Sequence, residues 1–242
     1  MHDCILFLWR WVTIYENDFF SLVCHFLHTC CTYKFRVCVG VKVFSSASPT
    51  SSPAFKFVNL IFTCTGGGIL VPILLNKLPV SIASDYYVIA ILTSFVLHSS
   101  FPILREVYKA SPIIRVVITV MFEVNRTFVL TKFTALANDV IPASTFSFAL
   151  FGPIFCGAIS GCGGAFMPFD KGLKPMEKGL AKPMLTAVVG ATCFHLYLNT
   201  SLSDGCINAK AKARVHVALF FIAVGLIDTL GFSSNAKKTK KE

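Results

Sequence analysis

Two residues of opposite charge stand near the middle of a long apolar stretch, residues 111–132, SPIIRVVITVMFEVNRTFVLTK. Glu123 and Arg126 are three positions apart, so on a helix they are neighbours on one face. A charged side chain at the centre of a bilayer costs about 2.5–3.5 kcal/mol even on insertion scales, so the pair should face other helices or a water-filled cavity. We therefore take Glu123 and Arg126 as the first candidate functional residues.

Further polar and basic residues extend this helix face. Arg115, Thr119, Phe122 and Arg126 fall on one stripe, at offsets of 4, 7 and 11 positions. Arg115 and Lys132 lie nearer the ends of the stretch, where long basic side chains reach the lipid headgroups. Arg115 and Lys132 thus join the charged pair as candidate pore or lipid-headgroup residues.

An acidic residue in the last apolar run is the candidate charge partner of Arg126. Asp228 lies in AVGLIDTLGF and could reach Arg126 from a neighbouring helix. Alternatively, Asp228 has no role at Arg126, and its carboxylate, near the end of the span, reaches the membrane interface. A basic stripe repels cations unless Glu123, Asp228 or a bound anionic lipid neutralises it.

Composition sets the class of protein. The 242 residues are 55% hydrophobic and 14% charged, which is too apolar for an ordinary soluble domain and indicates an all-α integral membrane protein. The net charge of +10 comes from basic residues at the ends of apolar runs and in the tail, a placement that favours anionic lipid as the partner over nucleic acid.

The apolar runs predict about seven transmembrane helices. A first span is expected within residues 1–50, a divergent region that ends in a Ser/Pro linker. A transmembrane domain is expected over residues 54–234, and residues 235–242 are expected to form a basic cytosolic tail. The other six spans are predicted at residues 55–75, 85–104, 112–133, 144–169, 183–198 and 215–232.

Two of the spans carry the same glycine-rich interruption, GGILVP and GGAFMP, which begin at Gly67 and Gly163 and are therefore 96 residues apart. Glycine pairs followed by a proline weaken or bend a helix, and the freed backbone groups need protein or water partners. We expect helix breaks beside a pathway at both places. The residues concerned are Gly66, Gly67, Gly68, Pro72, Gly161, Gly163, Gly164 and Pro168.

The 96-residue period predicts two inverted repeats of three helices and a C-terminal seventh helix. Subtracting 96 from the span at 112–133 gives residues 16–37, which fall within the region of the first span. A repeat with an odd number of helices must enter the membrane from the opposite side, as in many transport proteins.

Lysine placement predicts orientation and location. Lys and Arg are concentrated in the segments on the same side of the membrane as the C-terminus, which favours a cytosolic C-terminus. The final residues KKTKKE resemble a dilysine retrieval signal, with Lys238 and Lys240 in its fixed places. We therefore expect an intracellular, multi-pass membrane protein.

The segment MFEVNRTF, the two glycine-rich helices and the lysine-rich tail together resemble the trimeric intracellular cation channels of the endoplasmic and sarcoplasmic reticulum. The likeness runs from about residue 54 to the end of the chain. The family's fourth helix usually has M-K-E-V-x-R. Met121, Glu123, Val124 and Arg126 match this pattern, whereas Phe122 replaces the lysine that, with the arginine, contacts a phosphoinositide headgroup.

The resemblance implies a homotrimer with one pore in each subunit. Such a channel conducts K⁺ and other monovalent cations and supplies the counter-ion flux during Ca²⁺ release from the reticulum. It implies no cofactor other than a bound phosphoinositide, and anionic lipid as a further partner.

Enzyme activity has no support in the sequence. GxSxG, HExxH, Walker A and Rossmann patterns are absent, and the cysteines show no metal-binding spacing, so no catalytic or metal-ligating residue is assigned. Two alternatives to a channel stay open. One is a secondary transporter for a small solute, which also uses inverted repeats with broken helices. The other is a non-conducting scaffold of the reticulum membrane, in which glycines only permit close helix packing.

Overall fold

The computed structural model describes residues 39–41, 43–44, 50–83, 85–143, 147–162 and 179–231. Within these ranges the chain forms eight α-helices with described bounds, one 3₁₀ turn and no strand, and residues 39–41 and 43–44 are also helical. This confirms the all-α class predicted from composition. Most of the predicted first span lies outside the described residues, as does the tail beyond residue 231.

The first of these helices, α1, covers Pro53–Leu74, close to the span predicted at 55–75. Ser52 caps it by accepting a hydrogen bond from Phe55 N at 3.2 Å, and Pro53 begins the helix, where no backbone donor is needed. Among the described residues, α1 is the one helix whose length and apolar composition alone suffice for a membrane span.

The chain then forms three shorter helices, α2 (Val80–Ala83), α3 (Asp85–Ser100) and α4 (Ile103–Ala110). The span predicted at 85–104 is thus divided, because Pro102 precedes a separate helix. On the exposed side of α4, Lys109 Nζ lies 3.2 Å from Glu106 Oε1.

Helix α5, Pro112–Val140, is the longest and holds the candidate charged pair. Ser111 accepts a hydrogen bond from Ile114 N at 3.4 Å, and Pro112 occupies the first turn. The helix extends seven residues beyond the predicted end at residue 133. Its 29 residues measure about 43 Å, more than the hydrocarbon thickness of a bilayer.

The remaining helices are α6 (Phe151–Gly161), α7 (Lys182–Asn199) and α8 (Ala209–Thr229). A 3₁₀ turn at Ser201–Ser203 follows α7, and Asn208 precedes α8 with a φ of 58° in the left-handed region, which asparagine tolerates. The span predicted at 183–198 agrees with α7 within one residue at each end, whereas α8 begins six residues before the predicted residue 215.

Helix positions follow the 96-residue period. Adding 96 to α3 gives 181–196, which overlaps α7. Adding 96 to α1 gives 149–170, which contains α6. The inverted orientation of the two repeats stays a prediction.

Helix α5 lies at the centre of the packing and contacts α6, α7 and α8. One hydrophobic cluster joins α5, α7 and α8 around Leu130, Phe194 and Phe221, all at most 1% exposed. A second joins α1, α5 and α6, and a third joins α1 and α3 to the buried helical residues Val39, Val43 and Phe44. The middle of α5, which holds Glu123 and Arg126, is therefore surrounded by helices.

Candidate functional site

Glu123 and Arg126 form a buried ion pair within α5. Arg126 Nη1 donates to Glu123 Oε2 at 3.0 Å, and each residue is 8% exposed. Their separation of three positions places both side chains on the face that packs against α8. The pair thus faces other helices, as its charge requires.

The Arg126 guanidinium also connects α5 to the ends of two other helices. Its Nε donates to the carbonyl oxygen of Gly161 at 2.5 Å, and Gly161 is the last residue of α6. Its Nη2 donates to the carbonyl oxygen of Pro183 and to Thr186 Oγ1, the latter at 2.7 Å, both in the first turns of α7. Carbonyls in the last turn of a helix lack intrahelical partners, and a cation there also interacts favourably with the helix dipole.

Helix α8 closes the site from a further side. The Phe221 ring lies 4.3 Å from Arg126 Cζ, close enough for a cation–π interaction. Gly225 lies one turn further along α8, and a Cβ atom built there would be 2.9 Å from Glu123 Cγ. We call the set Glu123, Arg126, Gly161, Pro183, Thr186 and Phe221 the Arg126 cluster.

Buried threonines continue the polar face of α5 on both sides of the ion pair. Thr127 and Thr131 each donate to the carbonyl oxygen four residues earlier at 2.9 Å, and Thr134 does so at 2.8 Å. Thr131 Oγ1 also accepts from Arg214 Nε at 3.1 Å. Toward the N-terminal end, Thr119 Oγ1 lies 2.9 Å from Thr229 Oγ1 of α8. We call this row of polar side chains on α5 the polar seam; it contacts α8 at Thr119 and Thr131 and α6 at Thr134.

Thr119 lies on the stripe predicted from the sequence, whereas the other threonines of the polar seam do not. The signal available was their spacing, since Thr127, Thr131 and Thr134 recur at three- and four-residue intervals after Glu123. Their hydroxyls bond within their own helix, which satisfies them without a second helix.

Of the two roles left open for Asp228, the structure has the exposed carboxylate near the end of its helix, and the pair with Arg126 does not form. Asp228 Oδ1 accepts from Lys182 Nζ, and the two side chains are 59% and 60% exposed. Asp228 lies in the last turn of α8, beside the start of α7, so the residue that comes within reach is Lys182. The carboxylate that neutralises Arg126 is Glu123, from its own helix.

The other two basic candidates of α5 lie away from the cluster. Arg115 is half-buried, and its Nε is buried with no hydrogen-bond partner among the described residues. Lys132 is exposed. The two are 17 positions apart, about 25 Å along the helix, so they cannot share one ligand.

The first glycine-rich interruption does not break its helix. Helix α1 continues through Gly66, Gly67 and Gly68 and ends at Leu74, with Pro72 in its last turn, so the predicted break in mid-helix is wrong. Backbone atoms of α6 approach Gly67 directly, since a Cβ atom there would be 2.7 Å from Ser160 Cα. The glycine allows two helices to cross at close range.

The second interruption begins where α6 ends. Gly161 is the last helical residue, and a Cβ atom on it would be 2.6 Å from Leu130 Cδ1 of α5. Gly163, Gly164 and Pro168 lie outside the described residues, and so do Lys238 and Lys240 of the predicted retrieval signal.

Phe122, at the position of the family's lysine, belongs to a hydrophobic contact. It packs, partly buried, against the cluster of Val39, Val43, Leu60 and Ile91. An aromatic ring therefore fills this side of α5.

A histidine in α7 holds the segment that leads into α6. His195 is 1% exposed, and its Nε2 lies 2.6 Å from the carbonyl oxygen of Ala149, so Nε2 carries the proton. Asn199 Nδ2 donates to His195 Nδ1 at 3.2 Å. Since both ring nitrogens have partners, we assign His195 a packing role.

The chemistry of the site is binding and charge compensation. The Arg126 cluster combines one carboxylate, one guanidinium, two carbonyl oxygens and a hydroxyl. The described part of the chain holds no group of three or more His, Cys, Asp or Glu side chains that could bind a metal ion.

Comparison with solved structures places the fold in one class, that of the trimeric intracellular cation (TRIC) channels. A structure of a TRIC counter-ion channel in calcium release superposes with a TM-score of 0.64 at 19% identity, over 82% of this chain and 92% of the other. The resemblance noted in the sequence is thus confirmed at the level of the fold.

Two further structures are of a trimeric intracellular cation channel from C. elegans. The one without Ca²⁺ has a TM-score of 0.66 at 17% identity, over 84% of this chain and 90% of that one. The one with bound Ca²⁺ has a TM-score of 0.63 at 15% identity, over 88% and 97%. No family model matches the sequence, and no curated protein does. The chain therefore has the fold of a multi-pass membrane channel.

Proposed function

We propose that this chain is a subunit of a homotrimeric channel for monovalent cations, K⁺ above all, in the membrane of the endoplasmic or sarcoplasmic reticulum. The observation that carries the proposal is the fold, which matches TRIC channel structures over more than four fifths of the chain. In this proposal each subunit has its own pore and supplies counter-ion flux when Ca²⁺ leaves the store.

The buried ion pair supports a transport role. Two charged side chains in the interior of a membrane fold are costly to insert, and such residues commonly mark ion pathways. The polar seam gives the pair polar contacts with α8 on both sides along α5, at Thr119 and at Thr131.

Bilayer recording tests the proposal directly. Purified protein in planar bilayers under asymmetric KCl should give single-channel currents that reverse near the K⁺ equilibrium potential. Arg126→Lys should change the conductance or open probability at least about twofold, because an ammonium cannot reproduce the planar set of hydrogen bonds. Lys210→Ala, which removes an exposed charge on α8, is the control and should leave both unchanged.

Absence of current from trimers of the correct mass would contradict the proposal, and saturable coupled uptake would favour a secondary transporter.

The second candidate is a non-conducting membrane scaffold. It is favoured by the close crossing of α1 and α6 at Gly67, where backbone meets backbone without side chains between them.

In this proposal the lysine-rich tail retains the protein in the reticulum membrane. Replacing Lys238 and Lys240 by Ser in a tagged protein should move part of it to the cell surface, whereas Lys237→Ser should not. Protease protection in sealed microsomes should leave the tail accessible, as a cytosolic C-terminus requires.

An anionic lipid, a phosphoinositide in particular, is proposed at the N-terminal end of α5. Arg115 there has a buried Nε without an acceptor among the described residues, and helix N-termini favour anions. Arg126 is the weaker candidate, because four of its five N–H groups already donate to the Arg126 cluster. Arg115→Ala should reduce binding to phosphoinositide-containing nanodiscs.

A further inference from the structure

Four oxygens surround the Arg126 guanidinium, and each accepts a hydrogen bond from it. Glu123 Oε2, Thr186 Oγ1 and the carbonyl oxygens of Gly161 and Pro183 all converge on one guanidinium. They come from three helices, so the fold itself brings them together. The Phe221 ring adds a π face, which also attracts cations.

Charge balance requires this shell to be filled. Glu123 is 8% exposed, and a buried carboxylate without a partner is strongly destabilising. The three other oxygens are neutral acceptors that also lose hydrogen bonds when no donor or cation is present. If the guanidinium left, a shell with one net negative charge would remain at the centre of four helices.

We propose that these four oxygens are a monovalent cation site, which the side chain of Arg126 occupies as a tethered cation and which a free cation fills when the guanidinium withdraws. The inference deepens the proposed function and depends on it for the source of the ion. It makes Arg126 a competitor of the permeating cation for the same oxygens of Glu123, Gly161, Pro183 and Thr186.

The donor set favours a weakly hydrated monovalent ion. Ca²⁺ takes six to eight oxygens, commonly with several carboxylates, and Mg²⁺ needs a near-octahedral set. Four protein oxygens with a single carboxylate balance one positive charge, the charge that Arg126 now supplies. Carbonyl oxygens replace the hydration shell of K⁺ in known filters, which is the same ligand chemistry.

Removal of the guanidinium tests the site. Arg126→Ala, purified in detergent, should have a Tm that rises with KCl or guanidinium chloride up to about 50 mM but not with N-methylglucamine chloride at equal ionic strength. At ten times the dissociation constant the expected rise is about 3–6 °C. In the wild type and in Lys210→Ala, Arg126 still occupies the site. Their Tm values should therefore be the same in all of these salts.

The paired variant Glu123→Gln/Arg126→Ala isolates the charge of the site. Without the carboxylate the four oxygens carry no net charge. The Tm of the paired variant should therefore be the same in KCl and in N-methylglucamine chloride. If the dependence persisted in the paired variant, or were absent in Arg126→Ala, the inference would be overturned. Stabilisation by Ca²⁺ and not by K⁺ would overturn the monovalent assignment.

Arg126→Gln serves if Arg126→Ala yields no folded protein, since glutamine keeps a donor for Gly161 while removing the charge. It should show the same K⁺-dependent rise in Tm. The outcomes separate the two proposals. If the wild type conducts but neither Arg126→Ala nor Arg126→Gln is stabilised by a specific cation, only the cation site at Arg126 is overturned. Cation-specific stabilisation in a protein that never conducts would keep the site and overturn the channel.

Discussion

Replacing Gly67 by Ala should force α1 and α6 apart. A Cβ atom at Gly67 would lie 2.7 Å from Ser160 Cα, 2.8 Å from Ile159 O and 2.9 Å from Ser160 O. All three are backbone atoms of α6, so no side chain can rotate away to make room. Overpacking of this kind costs about 1–3 kcal/mol.

Gly68 provides a matched control in the same helix. No described atom lies within 4 Å of the Cβ position at Gly68, so alanine fits there without a clash. Both substitutions gain the same helix propensity, about 1 kcal/mol, and this term cancels in their difference. The variants Gly67→Ala and Gly68→Ala should thus differ in stability by the overpacking cost alone.

Thermal unfolding in detergent, followed by the surviving fraction on size-exclusion chromatography, measures this difference. At about 2–4 °C for each kcal/mol in a chain of this size, Gly67→Ala should unfold about 2–12 °C below Gly68→Ala. Gly68→Ala itself should equal or exceed the wild type. Equal Tm values for the two variants would show that α1 and α6 do not cross at Gly67, and the reasoning would fail.

Three further predictions concern charges, a buried histidine and α8. Glu123→Gln should destabilise by about 3–5 kcal/mol and Asp228→Asn by less than about 1 kcal/mol, because the first ion pair is buried and the second exposed; Tm values in detergent compare them. His195→Leu leaves the Ala149 carbonyl without its donor, should cost about 1–3 kcal/mol, and should speed limited proteolysis near residue 149. Gly225→Ala should lower the single-channel conductance or the Tm, since its Cβ would be 2.9 Å from Glu123 Cγ; neither changing would contradict the geometry.

Helix positions could be predicted where apolar runs end at turn residues. Helices α1 and α7 agree with the sequence within two residues, because Ser52 and Pro53 begin the one and Pro183 lies in the first turn of the other. The C-terminal end of α5 and the start of α8 differ from the prediction, since both helices extend into polar residues there. Hydropathy follows the apolar region, whereas backbone hydrogen bonding continues past it.

The candidate site could be predicted only in part. The Glu123–Arg126 pair follows from spacing along one helix, which the sequence contains. Its partners Gly161, Pro183 and Phe221 come from three other helices; the first two accept through backbone carbonyls and the third contributes a ring face, so no residue type signals them. Asp228 was chosen as the acid of the last apolar run, but tertiary packing brings Lys182 to it.

The order of synthesis gives the Arg126 cluster a consequence for biogenesis. Glu123 belongs to the same helix turn as Arg126, so the two charges can neutralise each other as soon as α5 leaves the ribosome. The other partners emerge later, Gly161 by 35 residues, Pro183 by 57 and Thr186 by 60. Phe221 follows 95 residues behind, since 221 minus 126 is 95. A nascent chain halted before α8 therefore holds an open cluster, and the translocon or a chaperone must shelter it until the last helix docks.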